Sequence, residues 1–280
     1  MAHAIDGIDD IVEIRRNPRW LNLELRTTWR YRGLLYFLAW RELKVRYKQA
    51  AIGIGWAIIQ PALAAMLFTA IFGHFAHMPS DGVPYALFAY SALVPWTYFA
   101  EAFQRSASGL VEDSELVRKI YFPRLIVPIA RVATPVVDMA LSLVALFAVM
   151  LWYGVLPSPR MALLPLFLLI AMMFALGLGL CLGPLNVRFR DVKHALPFLV
   201  QIGMYASPVV YPVSIVPEHW RLLYSLNPMV GVIEGFRWSL LGTQKPDVVA
   251  IVISVVVVTV ILAAGLVYFR KMERSFADVI

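Results

Sequence analysis

Cysteine is almost missing from this chain, because Cys181 is the only one in 280 residues. A lone cysteine excludes a disulfide within the chain, and its apolar surroundings predict a small packing residue. Charged residues are also scarce, at 15%, while apolar residues make up 60%. Soluble domains carry about 25% charged residues. The composition therefore favours a protein that lies mostly in lipid.

The sequence also lacks the motifs of common site chemistry. It contains no Walker A phosphate loop, no H-E-x-x-H helix, no G-x-S-x-G turn and no paired cysteines. His74 and His77 are close in sequence but have no further ligands beside them, so we expect no metal site. A P-loop ATPase is excluded and a membrane-embedded transferase is disfavoured. We expect no cofactor bound by this chain.

Long runs with few charges are abundant. Since about 20 helical residues cross a 30 Å hydrocarbon core, each of six runs is long enough for, or close to, one crossing. The predicted spans are approximately residues 52–75, 85–103, 126–153, 161–182, 196–211 and 248–269. Glycines at Gly177, Gly179 and Gly183 predict close helix packing in the fourth span. The predicted fold class is an all-α polytopic membrane protein.

Basic residues mark alternate ends of these runs. With a cytoplasmic N-terminus, all 25 Lys and Arg except Arg160, Arg221, Arg237 and Lys245 fall on the cytoplasmic side. This asymmetry is the positive-inside pattern and predicts that both termini are cytoplasmic. Residues 1–30 form a polar extension and residues 275–280 a short tail. The +7 net charge indicates contact with membrane lipids and no nucleic-acid partner.

Residues 31–48 predict an amphipathic helix lying at the membrane interface. Aromatic and apolar residues recur at helical spacing, with basic residues on another face: Tyr36, Trp40, Leu43 and Tyr47, against Arg41, Lys44 and Lys48. Cationic side chains here bind a lipid phosphate at the cytoplasmic entrance or, as an equal alternative, anchor the helix to anionic headgroups. These candidates are Arg41, Lys44, Arg46 and Lys48.

Residues 111–121 predict a short cytoplasmic helix that offers a docking surface. Asp113 is a candidate N-cap, Glu115 lies in the first turn, and Arg118 and Lys119 come late, which suits the helix dipole. Pro123 ends the helix. The alternative is an ordinary solvated loop helix.

Charges inside or beside the spans predict contacts between helices. Glu101 and Arg105 have the spacing of a pair on one helix face, and Arg131 and Asp138 flank Pro135 within the third span. We interpret the last two as structural or interhelical contacts. Ion coupling through Asp138 is the alternative.

Residues 213–245 are too polar to cross as one span, and Asn227–Pro228 interrupts their apolar stretches. Two half-helices dipping back from the outer face fit this pattern, because broken backbone at membrane depth needs protein or water beside it. The sequence therefore predicts a re-entrant element guarding an exit.

Six short motifs, taken together and in order, resemble permeases of ABC-2-type exporters of polysaccharides and polyol phosphates. They are R-Y-K-Q-A-A-I-G-I-G-W at 46–56, W-T-Y-F-A-E at 96–101, L-V-R-K-I-Y-F-P-R at 116–124, N-V-R-F-R-D-V at 186–192, S-P-V-V-Y-P at 207–212 and N-P-M at 227–229 with Arg237 downstream.

The resemblance implies a transmembrane domain at residues 31–274 that pairs with a second copy and recruits a separate ATPase subunit, which would bind ATP and Mg. Cargo would be lipid-linked polysaccharide, such as O-antigen, at the bacterial inner membrane. Residues 111–121 would dock on the ATPase through Glu115, Leu116, Arg118, Lys119, Ile120 and Tyr121. Residues 213–245 would form gate helices that include Asn227, Pro228, Glu234 and Arg237.

Aromatic rings stack on the C–H faces of sugars, so aromatics near the second and fifth spans are candidates to line a path for cargo. They are Tyr90, Trp96, Tyr98, Phe99, Tyr205 and Tyr211. An interfacial aromatic belt is the alternative role. For the whole chain, a permease for small-molecule or drug efflux is the alternative function.

Overall fold

The computed structural model describes residues 29–48, 53, 55–120, 122–189, 191–243 and 245–273, and every regular element among them is a helix. The α-helices are α1 Arg32–Lys48, α2 Gly55–Phe68, α3 Tyr85–Glu112, α4 Ser114–Lys119, α5 Ile126–Ala133, α6 Val136–Trp152, α7 Leu164–Arg188, α8 Val192–Tyr205, α9 Glu218–Tyr224, α10 Pro228–Leu241 and α11 Val248–Glu273. A π-helix, Thr69–Phe75, continues α2, and 3-10 turns cover Pro159–Leu163 and Val213–Ile215. Residues 1–28 of the predicted extension and the tail at 275–280 lie outside the described residues.

Helix α3 is the centre of the bundle. It packs along α7 and also contacts α2, α5, α6 and α10, while α11 covers the other side of α7. Phe88, Val94 and Phe99 of α3 are buried in the main core. Close approach along α7 depends on small residues, since a Cβ added at Gly177 would lie 3.0 Å from the backbone of Leu262. The predicted close packing is confirmed at Gly177 and Gly179, whereas a Cβ at Gly183 would make only ordinary contacts at 3.8 Å.

Four helical segments are long and apolar enough to span a membrane: Gly55–Phe75, Ile126–Trp152, Pro159–Arg188 and Val248–Glu273. They agree with the first, third, fourth and sixth predicted spans. Helix α3 has 28 residues but carries Tyr, Trp, Ser and Glu among its apolar positions. Because it is surrounded by protein rather than lipid, α3 does not need a uniformly apolar surface. The count of six spans stays a prediction.

Several predicted span boundaries differ in the structure. Helix α3 runs past residue 103 to Glu112, and α7 runs past residue 182 to Arg188. Helix α8 ends at Tyr205 and has 14 residues, about 21 Å at 1.5 Å per residue, because residues 206–212 with Pro208 and Pro212 cannot continue it. The third span also breaks at Thr134–Pro135, between α5 and α6.

The faces of α1 are distributed differently from the prediction. Leu38 is buried against the bundle, whereas Tyr36 and Trp40 are exposed and stack with centroids 6.4 Å apart. Arg46 and Tyr47 turn inward to Asp138 instead of joining the predicted outer faces. The partition into one aromatic and one basic face was wrong, because an acidic site in the bundle attracts these two side chains.

Candidate functional site

A connected network of ionised side chains lies at the end of the bundle where α1, α4 and the last turns of α3 meet. We call it the ionic network. Its members are Arg41, Glu42 and Arg46 of α1, Glu101, Arg105, Glu112 and Asp113 at the end of α3, and Arg131 and Asp138 of α5 and α6. It joins segments that are far apart in sequence.

Arg131 has the most ion pairs in the network, and Glu42 is one of its partners. Glu42 accepts hydrogen bonds from Arg105 and, at 3.2 Å, from Arg131. Arg131 also donates to Glu112 and Asp113, both at 2.8 Å. The side chains of Glu42 and Arg131 are only 12% and 11% exposed. Since an unpaired charge at this depth is costly, each partner is needed by the others.

Asp113 has only part of the role that the sequence predicted. It occupies the N-cap position of α4, but its side chain makes no capping bond and instead accepts from Arg41 and Arg131. Two charge-assisted bonds are stronger than one bond to a backbone N–H. Asp113 is therefore the N-cap residue as predicted, but its side chain ties the start of α4 to α1 and α5 instead of capping the helix.

A second branch of the network surrounds Asp138. Arg46 lies 2.7 Å from Glu101 and also contacts Asp138, which accepts a hydrogen bond from Tyr47 as well. Burial, followed by the bond to Asp138, raises the pKa of the Tyr47 hydroxyl. This arrangement is an interhelical anchor, as predicted for Asp138.

The predicted pair of Glu101 and Arg105 is confirmed, with Arg105 Nη2 2.9 Å from Glu101. Burial lowers the pKa of the Arg105 guanidinium, but the charges of Glu101 and Glu42 outweigh it, so the pKa is raised overall. Arg105 therefore stays charged and links α1 to α3.

The predicted docking helix is present as α4, although it is shorter than residues 111–121 because α3 continues to Glu112. Val117 is buried in an apolar cluster with Leu38 of α1 and Ile126 of α5. The opposite side is open to solvent, with Leu116 at its partly buried edge. The exposed candidates are Glu115, Arg118, Lys119 and Ile120, whereas Tyr121 lies outside the described residues. Helix α4 is thus fixed on one side and accessible on the other.

Four of the six aromatic path candidates lie inside the protomer. Tyr90, Trp96, Tyr98 and Phe99 are each 5% exposed or less. Phe99 stacks on Phe174 of α7 with centroids 4.8 Å apart. In this conformation these four side chains pack α3 against its neighbours and do not line an open path.

The two remaining path candidates lie beyond the core. Tyr205 is 55% exposed, and Tyr211, which is partly buried, donates from its hydroxyl to the Tyr205 carbonyl at 3.0 Å. The Tyr224 hydroxyl of α9 donates to that of Tyr211 at 3.1 Å. Burial, then this bond, raises the pKa of Tyr224. The aromatic path stays a prediction, with Tyr205 as its accessible member.

The predicted gate residues hold residues 206–212, which we call the proline segment, at the opposite end of the bundle. Asn227 caps α10 by accepting from the Met229 N–H at 3.1 Å. Its amide also donates to the Ala206 carbonyl and to Ser207 Oγ, at 3.0 and 2.9 Å. Pro228 is the first residue of α10, where proline needs no donor.

Arg237 is a second link to the proline segment. It is 1% exposed and donates to the carbonyls of Val209, at 3.0 Å, and Phe88, at 3.3 Å. It also donates to Glu234 at 3.2 Å, and its guanidinium lies 3.4 Å from the centre of the Phe88 ring. The Val209 carbonyl, which lies outside the helices, is thus satisfied by a side chain, as irregular backbone away from water requires.

The four candidate lipid contacts divide into two pairs. Arg41 and Arg46 are neutralised by carboxylates within the ionic network. Lys44 and Lys48 are exposed beside an open groove of about 360 Å³, which Arg41 and Trp40 also line. Headgroup contact stays a prediction, and the two lysines are its candidates without a carboxylate in the ionic network.

Sequence reasoning missed Glu42, Phe88 and Tyr85. Glu42 carries a visible signal, since it is the one acid in a helix with several basic residues. Phe88 and Tyr85 carry no such signal, because the sequence of an apolar run does not show which of its aromatic residues has a polar partner. Tyr85 donates to the Val210 carbonyl at 2.6 Å and is a third link to the proline segment.

The bundle of apolar helices with two polar ends is that of a membrane permease, and the chain belongs to the ABC-2 type transporter family, whose model matches residues 33–241. It is 30% identical over 256 residues to an O-antigen export system permease protein RfbA of Myxococcus xanthus, which covers 91% of this chain and 98% of the relative. An RfbA of Klebsiella pneumoniae is 26% identical, covering 88% and 95%. The polysialic acid transport protein KpsM of Escherichia coli is 23% identical, covering 84% and 92%.

Proposed function

We propose that this chain is the permease subunit of an ATP-driven exporter that moves lipid-linked polysaccharide across the bacterial cytoplasmic membrane. Relatives named for O-antigen export and polysialic acid transport match along almost their whole length, which supports this cargo class. A separate ATPase subunit binds ATP and Mg, and a second copy of the chain completes the path. Six spans place both termini in the cytoplasm, and α9 and α10 re-enter from the outer face.

The observation that carries the proposal is the two-sided character of α4. Val117 fixes the helix to the bundle, while Glu115, Arg118 and Ile120 are presented outward. A charged surface with an apolar residue suits a protein partner, and charge complementarity selects the correct one. The ATPase subunit docks here.

Closure of the ATPase subunits then moves the bundle through two connections. Helix α4 follows α3 with only Asp113 between them, so a push on α4 reaches the central helix directly. Asp113 is bound to Arg41 and Arg131, so α1 and α5 move with it. Displacement of these helices opens a path between two copies of the permease.

Charge reversal on α4 tests the docking surface. We expect Glu115→Arg and Arg118→Glu each to lower surface polysaccharide at least about tenfold, since like charges across an interface are costly. The exposed pair of Glu115 and Lys119, 2.6 Å apart, adds little stability, so the amount of permease in the membrane should not change.

Glu218→Arg is the matched control, because Glu218 is also exposed but lies on α9 at the other end of the bundle. Surface glycan and ATP hydrolysis by the copurified ATPase are measured for all three variants. Normal export with normal ATPase stimulation in the α4 variants would contradict docking at this helix.

A further inference from the structure

A polar pocket of about 210 Å³ lies at the α9 end of the bundle, and its walls come from separate stretches of the chain. These are the turn before α3, the turn after α8, helices α9 and α10, and the residues that lead into α11. Its main polar lining consists of Asp81, Ser214, Glu234, Arg237, Lys245 and Asp247. No residue of the ionic network takes part.

The charges of the pocket cancel. Three carboxylates face three cations, which are Asp81, Glu234 and Asp247 against Arg221, Arg237 and Lys245. A phosphate would meet the carboxylates, so an anion is a poor fit. Among the described residues, no three acidic, histidine or cysteine side chains are arranged to hold a metal ion. The chemistry that remains is that of an uncharged ligand with many hydroxyl groups, which offers both donors and acceptors.

Internal hydrogen bonds use only part of the capacity of these groups. Ser214 Oγ donates to Asp81 Oδ1 at 3.0 Å, and Arg237 donates to Glu234 Oε1 at 3.2 Å. An ionised carboxylate has about four acceptor positions on two oxygens, so each acid keeps an oxygen for a ligand. The bonds that exist fix the side chains in place, which lowers the entropy cost of binding.

The pocket also has an apolar wall formed by Val213, Val230 and Pro246. A sugar ring presents hydroxyls at its edge and C–H groups on its faces. The apolar wall can pack against the C–H groups, while the charged side chains bind the hydroxyls. Arg237 is held rigidly by Phe88 and Val209, so one donor is fixed before any ligand arrives.

We propose that this pocket binds one sugar unit of a polysaccharide at the α9 end of the permease. The inference rests on the proposed function, which supplies the ligand, and it adds a site beside the gate helices where the polymer leaves the path. A single unit bound at the exit retains the polymer between successive movements of the helices.

Saturation-transfer NMR on the full chain in nanodiscs of phosphatidylethanolamine and phosphatidylglycerol tests the site, with D-glucose, D-galactose, D-mannose and L-rhamnose as probes. We expect transfer to at least one sugar. Asp81→Asn should weaken it roughly tenfold by removing a charged acceptor, and asparagine tolerates the positive φ of 49° at this position. Val213→Trp should abolish it by filling the pocket, and the control Asp191→Asn, an exposed position at the start of α8 and outside the pocket, should not change it.

No transfer to any of the four sugars, equal transfer with both pocket variants, or displacement of the sugar by inorganic phosphate would overturn the site. The proposed function has a separate test, since deleting the gene should accumulate lipid-linked glycan in the cytoplasm. If the deletion strain accumulates lipid-linked glycan but no saturation transfer to a sugar is seen, only the sugar site is refuted. Normal surface glycan after deletion refutes the proposed function and removes the reason for a sugar site.

Discussion

Glu42 illustrates how one side chain connects three helices. It lies on α1, and its carboxylate receives Arg105 of α3 and Arg131 of α5. Neither arginine is fully paired without it, although each has another carboxylate nearby. In a surface pair such redundancy would make one acid dispensable. Here the side chains are mostly buried, so losing Glu42 leaves Arg105 and Arg131 each without one of its carboxylate partners away from water.

We expect Glu42→Gln to destabilise the protein by about 3 kcal/mol, the low end for breaking a buried ion pair. Glutamine keeps the size of the side chain and removes only its charge. Glu115→Gln is the control, because the Glu115 and Lys119 side chains are 71% and 74% exposed and their pair should contribute less than about 1 kcal/mol. Thermal unfolding of the purified chains measures both. Equal melting temperatures for the two variants would show that the network does not stabilise the fold.

At the scale of elements, the proline segment shows how a non-helical stretch is held between helices. Tyr85 of α3 and Asn227 and Arg237 of α10 bind its carbonyls from two sides. Movement of α10 away from α3 therefore requires the bonds on one side of the segment to break. Such an attachment fits the proposed gate, because it favours discrete positions over the continuous movement of a flexible loop.

Arg237→Lys tests this attachment. Lysine keeps the positive charge but cannot reach Val209, Phe88 and Glu234 together, because it lacks the planar fork. We expect a loss of about 2 kcal/mol in stability, the cost of leaving buried acceptors unpaired. Arg160→Lys is the control, since the Arg160 side chain is exposed and its guanidinium lies 5.1 Å from the centre of the Trp238 ring. Unfolding of both variants is compared in the same detergent, and a control that melts as low as Arg237→Lys would argue against a specific role.

Sequence reasoning succeeded for elements whose signal is local. The apolar runs of α7 and α11 and the interruption at Asn227 are visible within a short window, and the structure has them. It failed where the partner is distant: the inward turn of Arg46 depends on Asp138, 92 residues away. It also assigned Trp96 to a path, because apolar sequence does not distinguish a side chain that faces lipid or cargo from one between helices.

The whole molecule has two polar ends joined by one central helix. Helix α3 begins at Tyr85, which binds the proline segment, and ends at Glu112 in the ionic network. Its 28 residues span about 42 Å at 1.5 Å per residue. A rigid, buried helix that contacts both ends is a direct route by which movement at α4 reaches the gate residues.

This scheme requires the two ends to lie on opposite sides of the membrane, and the single native cysteine makes that simple to test. In a Cys181→Ala background, Ile120→Cys places a thiol at the end of α4, where Ile120 is 54% exposed, and Leu156→Cys places one at the other end, where Leu156 is 78% exposed. A maleimide that does not cross membranes should label Leu156→Cys in intact cells with an opened outer membrane, and Ile120→Cys only after the inner membrane is broken. The cysteine-free parent controls for background labelling. The reverse pattern would place α4 outside the cell, where no ATP-driven subunit could reach it, and both the docking surface and the direction of export would have to be abandoned.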